Sequence, residues 1–98
     1  MLCFDHFDMS ENNLGNLGCK DVAKMLMETP SIKTLNISQN NIGLQGLEII
    51  CQALTDPSCK AKLEVLDISR NLIRDEHLKI LYSLVEMNES IESVLYTP

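Results

Sequence analysis

The sequence contains no tryptophan and only two tyrosines and two phenylalanines, so the aromatic side chains that usually anchor protein interfaces are scarce. Basic residues are few as well: eight Lys and Arg stand against fourteen Asp and Glu, a formal net charge of −6. That balance argues against a broad phosphate-binding surface, and nucleic acid is set aside as a partner. Only two histidines are present, His6 and His77, and they stand far apart in the chain, which leaves no histidine-centred triad. No apolar run approaches the roughly 20 residues that span a bilayer, so membrane insertion is not expected. The opening Met1-Leu2-Cys3-Phe4-Asp5-His6 lacks the basic start and apolar core of a signal peptide, and the expected compartment is intracellular, namely the cytoplasm. Cys3, Cys19, Cys51 and Cys59 show no CxxC spacing, which speaks against zinc; without a secretory signal, free thiols are expected. Gly15-Asn16-Leu17-Gly18 and Gly43-Leu44-Gln45-Gly46 lack the Lys-Ser/Thr ending of a phosphate loop. No catalytic, cofactor or metal residues are assigned.

What is present is a chain 45% hydrophobic and 22% charged, the balance of one soluble domain over residues 1–98. At this length only roughly 60 to 65% of the surface can be buried, so a continuous core is needed. Three segments align with one another: Phe4 to Leu14, Ile32 to Ile42 and Leu63 to Ile73; a fourth opens at Ile91-Glu92-Ser93-Val94-Leu95-Tyr96. Their starts lie 28, 31 and 28 residues apart, the longer interval arising from the insertion Asp56 to Lys62. The repeats are therefore set at about 4–31, 32–62 and 63–90, with a partial one at 91–98.

Within each segment an apolar pair such as Leu35 and Ile37 has period two, which directs both side chains to one face of a short strand. Asn12, Asn40 and Asn71 follow where the chain must turn, and an amide there can bond backbone groups that the turn leaves unpaired. A helical spacing comes next: Cys19, Val22, Ala23 and Leu26; Leu47, Ile50, Cys51 and Leu54; Leu78, Leu81, Tyr82 and Val85. These are expected to face the core, with Lys20, Lys24, Glu48, Gln52, Lys79 and Glu86 outward. Gly15 with Gly18 and Gly43 with Gly46 precede the first two helices, where a close approach or a positive φ would favour glycine; Arg74 and His77 replace them in the third, so its turn should be shaped differently. Pro30 and Pro57 are placed to stop the first two helices.

The pattern LxxLxLxxNxL, repeated in register, is the leucine-rich repeat signature. Units of about 28 residues with a Gly-containing turn and a helix resemble the ribonuclease-inhibitor-like subfamily, including the repeat regions of NOD-like receptors and of the Ran GTPase-activating protein. The segment Gln52 to Leu63 looks like a receptor-type connection between repeats. The resemblance implies an α/β solenoid, a short horseshoe with parallel strands on the concave face and helices on the convex face. It also implies a protein–protein interaction scaffold and not an enzyme. Regulation of a small GTPase, or self-assembly through uncapped terminal strands, are the alternatives. The chain begins and ends close to strands without a recognisable polar cap, and is expected to be a fragment or short isoform of a longer array.

Repeat register then gives three columns on the concave face: His6, Thr34, Val65, Ser93; Asp8, Asn36, Asp67, Leu95; and Ser10, Ser38, Ser69, Thr97. The candidate protein-binding residues are His6, Asp8, Thr34, Asn36, Val65, Asp67 and Leu95, with Arg70 and Arg74 at the following turn as anchors. His6 and Asp8, with Cys3 near, imitate a metal site, but a closed zinc site needs four convergent ligands, and they are read as a polar surface pair. Met9 is read as core filling. The sequons Asn36-Ile37-Ser38 and Asn88-Glu89-Ser90 are read as chance.

Overall fold

The computed structural model describes residues 5–98; the readings made for Cys3 and Phe4 lie outside the described residues. The described chain alternates short strands with helices: β1 (His6–Asp8), α1 (Gly15–Glu28), β2 (Thr34–Asn36), α2 (Leu44–Thr55), β3 (Val65–Asp67), α3 (Leu78–Met87) and β4 (Ser93–Leu95), with a single 3-10 turn at Asp75–His77 leading into α3. The strands form one parallel sheet in the order β1-β2-β3-β4. His6, Thr34, Val65 and Ser93 are successive partners, as are Asp8, Asn36, Asp67 and Leu95, so the columns expected from the repeat spacing are those of the fold. This is the α/β leucine-rich-repeat solenoid.

Period two in the strands and period 3.6 in the helices meet in one core. Leu35, Ile37, Leu66 and Ile68 point inward from β2, β3 and the residues just after them, and Ile32 and Leu63 from the residues before. Val22 and Leu26 of α1, and Leu47, Ile50 and Leu54 of α2, close over them. Each such side chain contributes about 1.5–3 kcal/mol relative to an exposed one. Cys51 is buried as expected, and Met9 is half-buried against the core. The polar positions Lys20, Lys24, Glu48, Gln52, Lys79 and Glu86 are exposed.

α2 lies close against α1, and two residues allow it. A Cβ at Gly46 would stand 2.7 Å from Ile42 Cγ2 and 2.8 Å from both Asn16 Oδ1 and Cys19 Sγ, so only glycine fits there. Asn16 reaches from α1 to the start of α2, its Oδ1 accepting from the amides of Gly43 at 2.8 Å and Gly46 at 2.9 Å. It supplies from a neighbouring repeat the cap that α2 lacks in its own sequence. Gly15 is used differently: it opens α1 at φ 63.

The third repeat departs from this. Arg74 and His77 stand where Gly43 and Gly46 do, and Leu44 takes the place of Asn16, so α3 receives neither the close approach nor the cap. It begins instead with the 3-10 turn, in which the Arg74 amide donates to Nδ1 of His77 at 3.2 Å. A groove of about 250 Å³ remains between α2 and α3. The expectation for the α3 core face is corrected here. Leu81 and Leu84 are buried, whereas Tyr82 is 68% and Val85 47% exposed. Their counterparts Cys51 and Leu54 are buried because another repeat follows them; beyond Tyr82 and Val85 the described chain places no further helix.

The insertion Asp56 to Lys62 folds back over the end of α1. Lys60 and Ala61 amides donate to the carbonyls of Met27 at 3.2 Å and Leu26 at 3.1 Å, and Cys59 joins the core. Pro30 and Pro57 each lie two residues past a helix end, as expected. Tyr96 occupies the position of Ile37 and Ile68, and its hydroxyl donates to the Ile73 carbonyl at 2.9 Å. The matching carbonyl one repeat earlier, of Ile42, accepts from the Leu72 amide at 2.8 Å, so the phenol stands in for a backbone donor.

Candidate functional site

The concave face is positioned by a ladder of turn asparagines behind it. Asn40 is fully buried, and its side chain makes four hydrogen bonds. Oδ1 accepts from the amides of Asn12 at 2.8 Å and Leu14 at 3.2 Å, while Nδ2 donates to the carbonyls of Met9 at 2.8 Å and Ser38 at 3.1 Å. Asn71 repeats the arrangement one step on, accepting from the Asn40 and Ile42 amides at 2.8 and 3.1 Å and donating to Ile37 and Ile68 at 3.0 Å each. Asn12, at the first turn, is exposed and donates to the Ser10 carbonyl at 3.1 Å. The chain turns sharply around these residues: Glu11, Asn13, Gln39, Asn41 and Arg70 all have φ between 51 and 58. Asparagine tolerates that region, whereas Leu72, at the place of Asn13 and Asn41, is not among the positive-φ residues.

Each outward residue at the end of a strand fixes the turn that follows. Oδ1 of Asp8 accepts from the Ser10 amide at 3.0 Å and hydroxyl at 2.6 Å. Oδ1 of Asn36 accepts from Ser38 N at 3.0 Å, and that of Asp67 from Ser69 N at 2.9 Å. These side-chain turns hold Asp8, Asn36 and Asp67 in one row, successive members about 4.8 Å apart across the ladder. Hydrogen bonds from the Ser10 hydroxyl and amide hold the carboxyl of Asp8 below its ordinary value. In the neighbouring row His6 and Ser93 are exposed, and Thr34 and Val65 half-buried. Leu95, at the end of the acidic row, is exposed.

The two arginines are placed apart from these rows. With the Gln39 amide oriented to satisfy its neighbours, Gln39 accepts from Arg70 Nη1 at 3.2 Å and donates to Glu11 Oε1, a lateral chain across three turns. Arg70 is thus held along the turn edge. Arg74 lies beyond it at the start of the 3-10 turn, 3.9 Å from Glu76, and both side chains are solvated. Asn88 of the second sequon is committed: Nδ2 donates to the Leu54 carbonyl at 2.7 Å, and Oδ1 accepts from the amides of Ser90 and Ile91. Its role is to pin the α3–β4 connection against α2.

The thiols Cys19, Cys51 and Cys59 are free and buried. Burial pushes Cys19 up to about 11; burial with the nearby Glu48 pushes Cys51 up to about 12. Among the described residues no group of three His, Cys, Asp or Glu side chains could hold a metal ion, and no helix is long and apolar enough to cross a membrane.

Two leucine-rich repeat family models match the chain, one at residues 30–51 and one at 62–84. The chain is 31% identical over 91 residues to NACHT, LRR and PYD domains-containing protein 9C of Mus musculus, covering 93% of this chain and 9% of that protein. It is 33% identical over 84 residues to NACHT, LRR and PYD domains-containing protein 7 of Homo sapiens, covering 85% and 8%. It is also 33% identical over 43 residues to the ribonuclease inhibitor of Mus musculus, covering 44% and 9%. The chain thus spans about a tenth or less of the length of these relatives. Taken with the asparagine ladder and the strand columns, these matches place the chain among the leucine-rich repeat proteins, with repeats of the ribonuclease-inhibitor-like type.

Proposed function

We propose that the chain is a protein–protein interaction scaffold, acting by binding and not by catalysis, whose binding residues are His6, Asp8, Thr34, Asn36, Val65, Asp67 and Leu95 on the concave face, with Arg70 and Arg74 at the following turn as anchors. The observation that carries this reading is the strand register, which sets the seven concave-face side chains in two adjacent rows on the face turned away from the core. The turn bonds use Oδ1 of Asp8 and of Asp67, so each carboxylate keeps a second oxygen for a partner's donors. A row with two carboxylates favours a partner surface bearing lysine or arginine. The same reading keeps the chain intracellular, in line with three buried free thiols.

A photocrosslinker at Val65 on the concave face, compared with one at Gln52 on the convex face, tests this. Partner adducts from Val65 and none from Gln52 are expected; adducts from Gln52 alone would overturn the reading.

A further inference from the structure

The third repeat differs from the first two along the turn edge that follows the strands. Repeat register aligns Glu11, Gln39 and Arg70; Asn13, Asn41 and Leu72; and Gly15, Gly43 and Arg74. In the first two repeats this edge is polar and bonded to itself, the Asn41 amide donating to Asn13 Oδ1 at 2.6 Å. In the third it carries a leucine between two arginines, and these are the two arginines of the whole sequence. Burial alternates along the segment. Arg70, Leu72 and Arg74 are exposed, Leu72 by 63%, whereas Ile73 is buried and the Asn71 side chain is tied to the Ile37 and Ile68 carbonyls. The Leu72 amide donates to the Ile42 carbonyl at 2.8 Å, which sets it beside the start of α2, where Leu44 is 37% exposed.

The two arginines are positioned here without being saturated. Arg70 gives one Nη1 bond to Gln39, and a guanidinium carries five N–H donors. The pair between Arg74 and Glu76 spans 3.9 Å with both side chains solvated, so it yields readily to a better-placed carboxylate. Asp75, the other acid beside it, interacts with the Tyr96 phenol. The chain carries a net charge of −6, which repels an acidic partner at a distance. Charges further off than about 8 Å are largely screened at physiological salt, so the local pair decides the contact. Two basic side chains are too few to track a phosphate backbone or an anionic membrane. The leucine between them is matched by an apolar side chain, which a bare anion lacks.

We propose that this edge docks an acidic peptide segment of a protein partner, with an apolar side chain seated on Leu72 and carboxylates on either side of it paired to Arg70 and Arg74. The proposal rests on the scaffold reading and names the chemistry of the partner at its two anchors. Arginine grips a carboxylate through two parallel N–H bonds, which fixes direction as well as contact. The concave rows, with the carboxylates of Asp8 and Asp67, call for the opposite charge, so either contact can fail without the other.

Selection from a random peptide library displayed on phage tests it, with the wild-type chain and the Arg70→Gln/Arg74→Gln double variant as parallel baits. The wild type is expected to enrich peptides with Asp or Glu on both sides of an apolar residue, and the double variant is not. For a peptide of that consensus, read by fluorescence anisotropy, each arginine substitution alone should weaken binding about fivefold. Leu72→Asn, which restores the asparagine of the earlier repeats, should weaken it about tenfold. No acidic consensus, or one that the double variant retains in full, would overturn the proposal. Acidic peptides that need no apolar residue, the outcome for a bare anion site, would overturn it as well. Enrichment of basic peptides alone would overturn it and leave the concave rows standing. Circular dichroism of each variant confirms that these exposed substitutions leave the fold intact.

Discussion

The side-chain oxygen of Asn16 lies 2.9 Å from the amide of Gly46, thirty residues away, and joins the first helix to the start of the second. The contact explains both why α2 packs closely on α1 and why α3, with Leu44 and His77 at the matching positions, does not. Gly46→Ala should destabilise the fold by about 1–3 kcal/mol despite alanine's better helix propensity, because Ile42 and Cys19 are buried and cannot yield. Asn16→Ala should cost about 1–2 kcal/mol by uncapping α2. Urea unfolding midpoints measure both.

The asparagines of the turns are not equivalent. Asn40→Ala removes the partners of two amides and two carbonyls in a fully buried setting and should cost about 2–4 kcal/mol. Asn12→Ala loses one exposed bond and should cost under about 0.5 kcal/mol. Equal losses in the two variants, read from denaturant unfolding, would contradict this difference.

Stability should fall in alkali. The thiols of Cys19 and Cys51 and the phenol of Tyr96, raised by burial and by the Asp75 carboxylate, all titrate higher in the folded chain than in the unfolded one. Their contribution is complete below the unfolded thiol value of 9.0 and is lost as pH rises toward 11 to 12, because the unfolded chain gives up those protons first. Melting temperature should therefore drop steadily above pH 9, and Cys51→Ala should flatten the slope. In the native chain at pH 7.5, Cys19 and Cys51 should react with iodoacetamide only as fast as the fold opens.

Tyr96→Phe keeps the ring and removes the bond to the Ile73 carbonyl. It should lower the melting temperature at neutral pH and reduce the alkaline slope at its upper end. A thermal melt identical to that of the wild type at neutral pH would show that the phenol does not cap the ladder.

What could be read in the sequence was whatever repeats locally. Period two placed Leu35 and Ile37 inward and Thr34 and Asn36 outward, and the interval between repeats gave the pairings of His6 through Ser93 residue by residue. The roles of Asn40 and Asn71 followed from their places at the turns. Contacts that depend on the next repeat were not legible. Asn16 looked like part of a loop, although it caps a helix 27 to 30 residues on. Tyr82 and Val85 fit the apolar spacing, but burial there requires another helix alongside. Cys59 entered the core through an insertion that follows no period. The replacement of two glycines by Arg74 and His77 was the one visible sign that the last seam differs.

The account rests on the asparagine ladder that locks the strands in register, and residue-resolved amide hydrogen exchange tests it most directly. The Asn40 and Ile42 amides donate to the Asn71 side chain and should be among the slowest to exchange in the wild type. In Asn71→Ala, measured under conditions where the chain remains folded, these two should lose protection far more than Ile37 and Ile68, whose amides bond the backbone carbonyls of Asp67 and Leu95. Rapid exchange of Asn40 and Ile42 in the wild type, or unchanged protection in the variant, would contradict the ladder and the concave face built upon it.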